Sequence, residues 1–99
     1  MSESVNQENI RFIEKAANAV SDKYRLSILM ELTQKGEICC NEAREITGLS
    51  QSCCSHHIKL LTESELITAR KDGKYIYISL NKQNFHKFSD FLKHIIEPE

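Results

Sequence analysis

Apolar residues recur along most of this chain at helical spacing, and over one stretch at the spacing of strands. Ile10, Ile13, Ala16, Ala17 and Val20 repeat every three or four residues, which predicts a first helix over residues 8–20. Asp22 is a good N-cap for a second helix, Lys23–Lys35, which Gly36 stops. Leu26, Leu29 and Met30 follow the i, i+3, i+4 rule there, and Ile28 and Leu32 carry the apolar surface round the side, so this helix is expected to be central. Residues 37–40 are short enough only for a link or a single strand bridge. Asn41 then caps a short third helix, residues 42–47, with Ala43 and Ile46 inward, and Gly48 takes the left-handed position after its end. Ser50 caps a fourth helix, Gln51–Glu63.

Beyond residue 65 the period changes. Residues 66–70 and 75–80 read as strands, the second with Ile76, Ile78 and Leu80 on one face and Tyr75, Tyr77 and Ser79 on the other. Lys71-Asp72-Gly73-Lys74 lies between them, and Asp-Gly is a two-residue hairpin signal. A last helix over residues 82–96 carries Phe85, Phe88, Leu92 and Ile95 along one side, flanked by Phe91 and Ile96, and Pro98 ends it. The order α-α-α-α-β-β-α is mostly α with a β-hairpin wing: a winged helix-turn-helix, expected as one domain over residues 1–99, with residues 1–7 a flexible tail.

Composition narrows the function classes. At 99 residues and 40% hydrophobic the chain can build a core, but a small one, which association with a second copy would help. It has no apolar run near the ~20 residues of a membrane span, and its polar start is unlike a signal peptide, so a cytoplasmic protein without a membrane partner is expected. A net charge of −1 argues against a non-specific nucleic-acid coat but leaves room for a local basic patch, and Arg70, Lys71 and Lys74 cluster at the hairpin.

Within the helix-turn-helix, the second helix is the one that enters a DNA groove. On a helical wheel Cys54, Ile58 and Leu61 share one side with His57 beside them. Ser52, Ser55, His56 and Lys59 lie opposite, with Gln51 at the helix start. Glutamine pairs with adenine, serine with bases or phosphates, and lysine with guanine or phosphate. Gln51, Ser52, Ser55, His56 and Lys59 are therefore expected to contact DNA, with Arg70, Lys71 and Lys74 on the backbone or minor groove. The last helix is too apolar to face water, so Ile13, Phe85, Phe88, Phe91, Leu92 and Ile95 are expected at a homodimer interface.

Four stretches carry a family resemblance. They are Asp22-Lys-Tyr-Arg-Leu-Ser-Ile-Leu, Gly36-Glu-Ile-Cys, Leu49-Ser-Gln-Ser-Cys-Cys-Ser-His-His-Ile-Lys-Leu-Leu61 and Gly73-Lys-Tyr-Ile-Tyr-Ile-Ser-Leu80. Over roughly residues 10–95 the chain resembles the ArsR/SmtB family of metal-responsive repressors. The resemblance implies a dimer joined by the first and last helices, a double-stranded DNA operator with two-fold symmetry, and release from DNA when an inducer binds.

The inducer is read from the cysteines, which come as Cys39-Cys40 and Cys53-Cys54. Free thiols are the default in a reducing compartment. Glu37-Ile38-Cys39 matches the start of the arsenic and cadmium pattern that the resemblance implies, but Asn41 stands where a cysteine is expected. The third helix is expected to keep the two pairs apart. The zinc pattern of last-helix pairs meets Asn84-Phe-His86 and His94-Ile-Ile-Glu97, with asparagine in place of aspartate and a shortened spacing, which disfavours zinc there. Cys53 and His57 are i, i+4 neighbours and offer another metal pair. Helix N-termini lower thiol pKa values, which keeps a redox or reactive-sulfur switch open. The inducer is thus As(III), Cd(II) or another thiophilic metal, or an oxidant, acting at Cys39, Cys40, Cys53 or Cys54. A winged-helix protein-interaction module that leaves DNA alone is the other class. An enzyme is not expected, because no glycine-rich oxyanion motif or long loop accompanies the cysteines and histidines.

Overall fold

The computed structural model describes residues 7–98. Helices α1 (Gln7–Ala19), α2 (Lys23–Lys35), α3 (Cys40–Thr47) and α4 (Gln51–Glu63) are followed by the hairpin β2 (Ile67–Asp72) and β3 (Tyr75–Leu80), and by α5 (Lys82–Ile96). Strand β1 (Glu37–Cys39) precedes α3 and adds to the hairpin, giving an antiparallel sheet of order β1-β3-β2. The tail expected over residues 1–7 lies outside the described residues except for Gln7, which opens α1.

Residues 37–39 thus do more than bridge. Glu37, Ile38 and Cys39 pair with Ser79, Ile78 and Tyr77, and the facing isoleucines are both buried. The third helix also begins earlier than expected. Its N-cap is Cys39 rather than Asn41, and the Glu42 carboxylate accepts the Cys39 backbone N–H at 3.2 Å. The wing is longer than expected by two residues. Asp72 pairs with Tyr75, so the loop is Gly73-Lys74 with Gly73 at φ +64°, the positive first position of a type II′ turn.

One core joins the elements: Ala16 and Ala19 of α1, Ile28, Leu29 and Leu32 of α2, Ile38, Ala43, Cys54, Leu61, Leu66, Ile67 and Ile78. Two expected inward positions of α2 are outside it, since Leu26 and Met30 are exposed, and Ile46 of α3 is exposed as well. The buried stripe of α2 is Arg25, Ile28, Leu29 and Leu32, at i, i+3, i+4 and i+7, with a charged residue completing the pattern.

Arg25 can be buried because each of its three nitrogens donates a hydrogen bond. Its Nε donates to the Ala19 carbonyl at 2.8 Å, Nη2 to the Asn18 carbonyl at 3.1 Å, and Nη1 to His57 Nδ1 at 2.9 Å. Arginine only donates, so His57 accepts through Nδ1 and carries its proton on Nε2. The side chain closes the last carbonyls of α1 and ties α2 to α4.

Asp22 caps α2 by accepting the N–H groups of Tyr24 (2.9 Å) and Arg25 (3.1 Å). Burial pushes its carboxyl up, but these two hydrogen bonds, and then the charge of the nearby Arg25, outweigh that and hold it below the ordinary carboxylate range. A lowered folded-state pKa stabilises above the unfolded value and is lost as pH falls through the folded one. Asp22→Ala is therefore expected to cost about 1 kcal/mol at neutral pH. In urea melts the gap between variant and parent should close below about pH 4, where aspartate protonates; a constant gap down to pH 2 would contradict this role for the carboxylate.

Candidate nucleic-acid interface and thiol cleft

The turn that aims α4 is built from the expected residues. Gly48 closes α3 at φ +70°, a left-handed backbone that side chains resist, and its N–H returns to the Arg44 carbonyl. Two residues on, Ser50 caps α4 by accepting the Cys53 N–H at 3.2 Å. Cys54 and Leu61 point into the core, which turns Gln51, Ser52, Ser55, His56 and Lys59 out to solvent together. Gln51, Ser55 and Lys59 have no hydrogen-bond or ion-pair partner among the described residues, and the Ser52 hydroxyl meets only that of Ser50, at 3.4 Å. A 13-residue helix is thereby held to the body by one side and offers a strip of donors and acceptors on the other.

The wing's three cations are not equivalent. Lys71 is exposed, and Lys74 sits at the tip over the Tyr75 ring at 5.5 Å. Arg70 instead grips Glu37 with two bonds, Nη2 at 2.8 Å and Nε at 3.2 Å, lies 4.8 Å from the Tyr77 ring, and approaches Asp72 at 3.6 Å. The Arg70 hydrogen bonds hold the Glu37 carboxyl below its usual range. Arg70 braces β2 to β1 across the sheet, while among the described residues Lys71 and Lys74 are in no ion pair.

Three of the four cysteines border one cleft. A cleft of about 180 Å³ between α3, α4 and the wing is lined by Cys39, Cys40 and Cys54, with Asn41, Arg44, Gln51, Ser55, Ile58, Lys74, Tyr75 and Ile76. The expectation that the two pairs lie apart is therefore only half right: Cys53 is exposed away from the cleft, while Cys54 faces it from the core side. Among the described residues no three His, Cys, Asp or Glu side chains stand close enough to grip a metal ion as they are. The helix-terminus argument for reactive thiols fails at two positions. Burial, and then the neighbouring Cys39 and Cys54, push the Cys40 thiol up, and burial pushes Cys54 up against the pull of Thr47 and Arg44. A Cys53–His57 metal pair is also disfavoured, because Arg25 occupies His57 Nδ1.

At the other end of the molecule α1 and α5 leave an apolar surface open. A groove of about 260 Å³ between them is lined by Ile10, Phe12, Ile13 and Phe91, with Asn9, Lys87, Asp90 and His94 at its edges. Ile10 is 52% exposed, Leu92 46%, Ile95 61% and Ile96 75%. Phe85 and Phe88, expected at an interface, are partly buried and pack against the chain's own core. The pair expected to miss a zinc site is likewise apart in role, since the Asn84 amide donates to the Glu65 carbonyl at 2.7 Å and His94 borders the groove.

Comparison with known proteins agrees with this geometry. A helix-turn-helix domain family matches residues 20–70. The arsenical resistance operon repressor of Bacillus subtilis is 35% identical over 81 residues, 82% of this chain and 77% of the repressor. The cadmium resistance transcriptional regulatory protein CadC homolog of Staphylococcus aureus is 32% identical over 78 residues, 79% of this chain, and the chain spans 64% of its length. A homodimeric winged helix-turn-helix DNA-binding domain from Mycobacterium bovis, a possible ArsR-family regulator solved by NMR, superposes with a TM-score of 0.71 at 21% identity, covering 91% of this chain and 86% of that one. These relatives are transcriptional regulators rather than enzymes, and among the described residues no helix is long and apolar enough to cross a membrane. The chain belongs to the ArsR/SmtB family of winged helix-turn-helix transcriptional regulators.

Proposed function

We propose that this protein is a cytoplasmic repressor that binds a two-fold symmetric operator as a homodimer and lets go when a thiophilic inducer reaches its cysteines. The observation that carries the reading is the α4 strip of Gln51, Ser52, Ser55, His56 and Lys59, exposed together on the second helix of a helix-turn-helix with Lys71 and Lys74 on the adjoining wing. Such a strip fits the major groove, where side-chain donors and acceptors distinguish all four base pairs, while wing lysines neutralise phosphates. Two copies joined through the α1–α5 surface present two strips, and half-sites about 10 bp apart, or a multiple, match them. The B. subtilis relative's name supports arsenic as the inducer, and the staphylococcal one supports cadmium.

The two kinds of contact separate in a binding titration on a selected duplex. Lys74→Ala is expected to weaken all sequences alike and to lower the slope of log affinity against log salt by about 2 for two wings, at about 0.9 per phosphate. His56→Ala is expected to leave that slope unchanged and to relax base preference at one position per half-site by about 1–3 kcal/mol. Wild-type binding by both variants would remove this face from the interface and favour a protein-interaction module.

A further inference from the structure

We propose that α3 carries a second DNA-facing pair, Asn41 and Arg44, which holds a backbone phosphate at the edge of the groove that α4 enters. The inference rests on the repressor reading and names residues that fix the register of α4 on the duplex. Asn41 was expected to cap α3, but Cys39 takes that place, and among the described residues no hydrogen bond occupies the Asn41 amide. Asn41 and Arg44 are i, i+3 neighbours, both exposed, on the side of α3 turned away from the buried Ala43. Arg25 and Arg70 are bonded within the chain, whereas the Arg44 side chain has no hydrogen bond or ion pair among the described residues.

The pair's neighbours belong to the surface already assigned to DNA. Asn41 and Arg44 share one opening with Gln51 and Ser55 of α4 and Lys74 of the wing, and no aspartate or glutamate borders it. The charge of Arg44 is also felt in the first turn of α4, where it pulls the Cys54 thiol down against burial. On their other side the same two residues border an open hollow along the turn into α4, with Gly48, Leu49 and the acid Glu45. Polar groups of three elements thus ring the start of the recognition helix, with two cations among them.

A backbone phosphate fits this place in charge and in position. When the second helix of a helix-turn-helix lies in the major groove, the first crosses the backbone beside it, and here the first is α3. A guanidinium fork meets two phosphate oxygens at once, and an amide group donates to another. Phosphate contacts carry no base information but set where the base-reading side chains fall. The pair would hold the first turn of α4, with Gln51 and Ser52, against the base edges. Its phosphate is a different one from those of Lys71 and Lys74, because α3 and the wing are separate walls of the opening. A cation in the last turn of a helix also favours the helix dipole, and Arg44 is so placed in α3. That role alone would lower the melting temperature and leave the salt dependence of DNA binding unchanged.

The test measures binding of a selected duplex over a salt series, then on duplexes carrying a neutral methylphosphonate at one backbone position at a time. Arg44→Ala is expected to weaken all sequences alike, on the order of 10–100-fold near 0.1 M salt, with the slope lower by about 2 for two protomers. Arg44→Lys should recover the slope, since it restores the charge, and Arg44→Gln stands in should the alanine variant fail to fold. Asn41→Ala should keep the slope and bind roughly 2–12-fold more weakly for each hydrogen bond lost. In the methylphosphonate series, one position per half-site should weaken the parent and Lys74→Ala but leave Arg44→Ala unmoved. A folded Arg44→Ala with the parent's slope, or with the parent's full set of sensitive phosphates, would overturn the proposal while leaving the repressor reading in place. A folded parent that binds no duplex at all would sink the repressor reading and this contact with it.

Discussion

Replacing Leu92 and Ile95 by glutamate is expected to give a folded monomer that no longer holds an operator. Both side chains are about half or more exposed in the protomer, so the change removes little from its own core. Across a dimer they would be covered, and each buried unpaired carboxylate costs several kcal/mol, four times over in a symmetric pair. Operator affinity should then fall more than about 1000-fold, toward the non-specific level, because a single recognition helix reads only half of the site. Sedimentation measures the first effect and a binding titration the second. A doubly substituted protein that stays dimeric would place the interface elsewhere. Phe88→Glu would be a poorer test, since Phe88 packs on the protomer's own core and its loss would damage folding as well.

Arg25→Leu is expected to be among the most destabilising single changes outside the apolar core. It leaves the Ala19 carbonyl and His57 Nδ1 without their donor at once, in a place where Arg25 is only 6% exposed. Each buried acceptor left without its donor costs about 1–3 kcal/mol, so the two together cost about 2–6 kcal/mol. At roughly 4–8 °C per kcal/mol for a domain of this size, thermal unfolding should fall by on the order of 15 °C or more. Because His57 belongs to α4, operator binding should weaken even where the variant remains folded. A melting temperature within a few degrees of the parent's would mean that water satisfies these groups instead.

Arg25 also shows where the sequence was legible and where it was not. Period and caps placed α2, α4 and α5 at their observed ends, because Asp22, Ser50 and the glycines announce them locally. The stripe of α2 was misjudged because a charge was not counted as core, so Leu26 and Met30 took places that Arg25 fills. Its burial depends on Ala19, Asn18 and His57, partners up to 32 residues away that no local pattern reveals. Strand β1 was missed as a strand for the same reason: three residues form one only because β3 stands beside them. The recognition face was legible from a helical wheel, since its residues depend on one helix. The bond from Arg70 to Glu37 and the placing of Cys54 on one cleft with Cys39 and Cys40 are products of tertiary folding that no local spacing reveals.

The central claim is sequence-specific binding of DNA by a symmetric dimer, and selection from a random duplex library tests it most directly. Successive rounds at moderate salt, followed by sequencing, should enrich one motif whose two halves are related by two-fold symmetry and centred about 10 bp, or a multiple, apart. Its retention should fall steeply as salt rises. A selected pool indistinguishable from the starting library, from a protein confirmed to be folded and dimeric, would contradict the account.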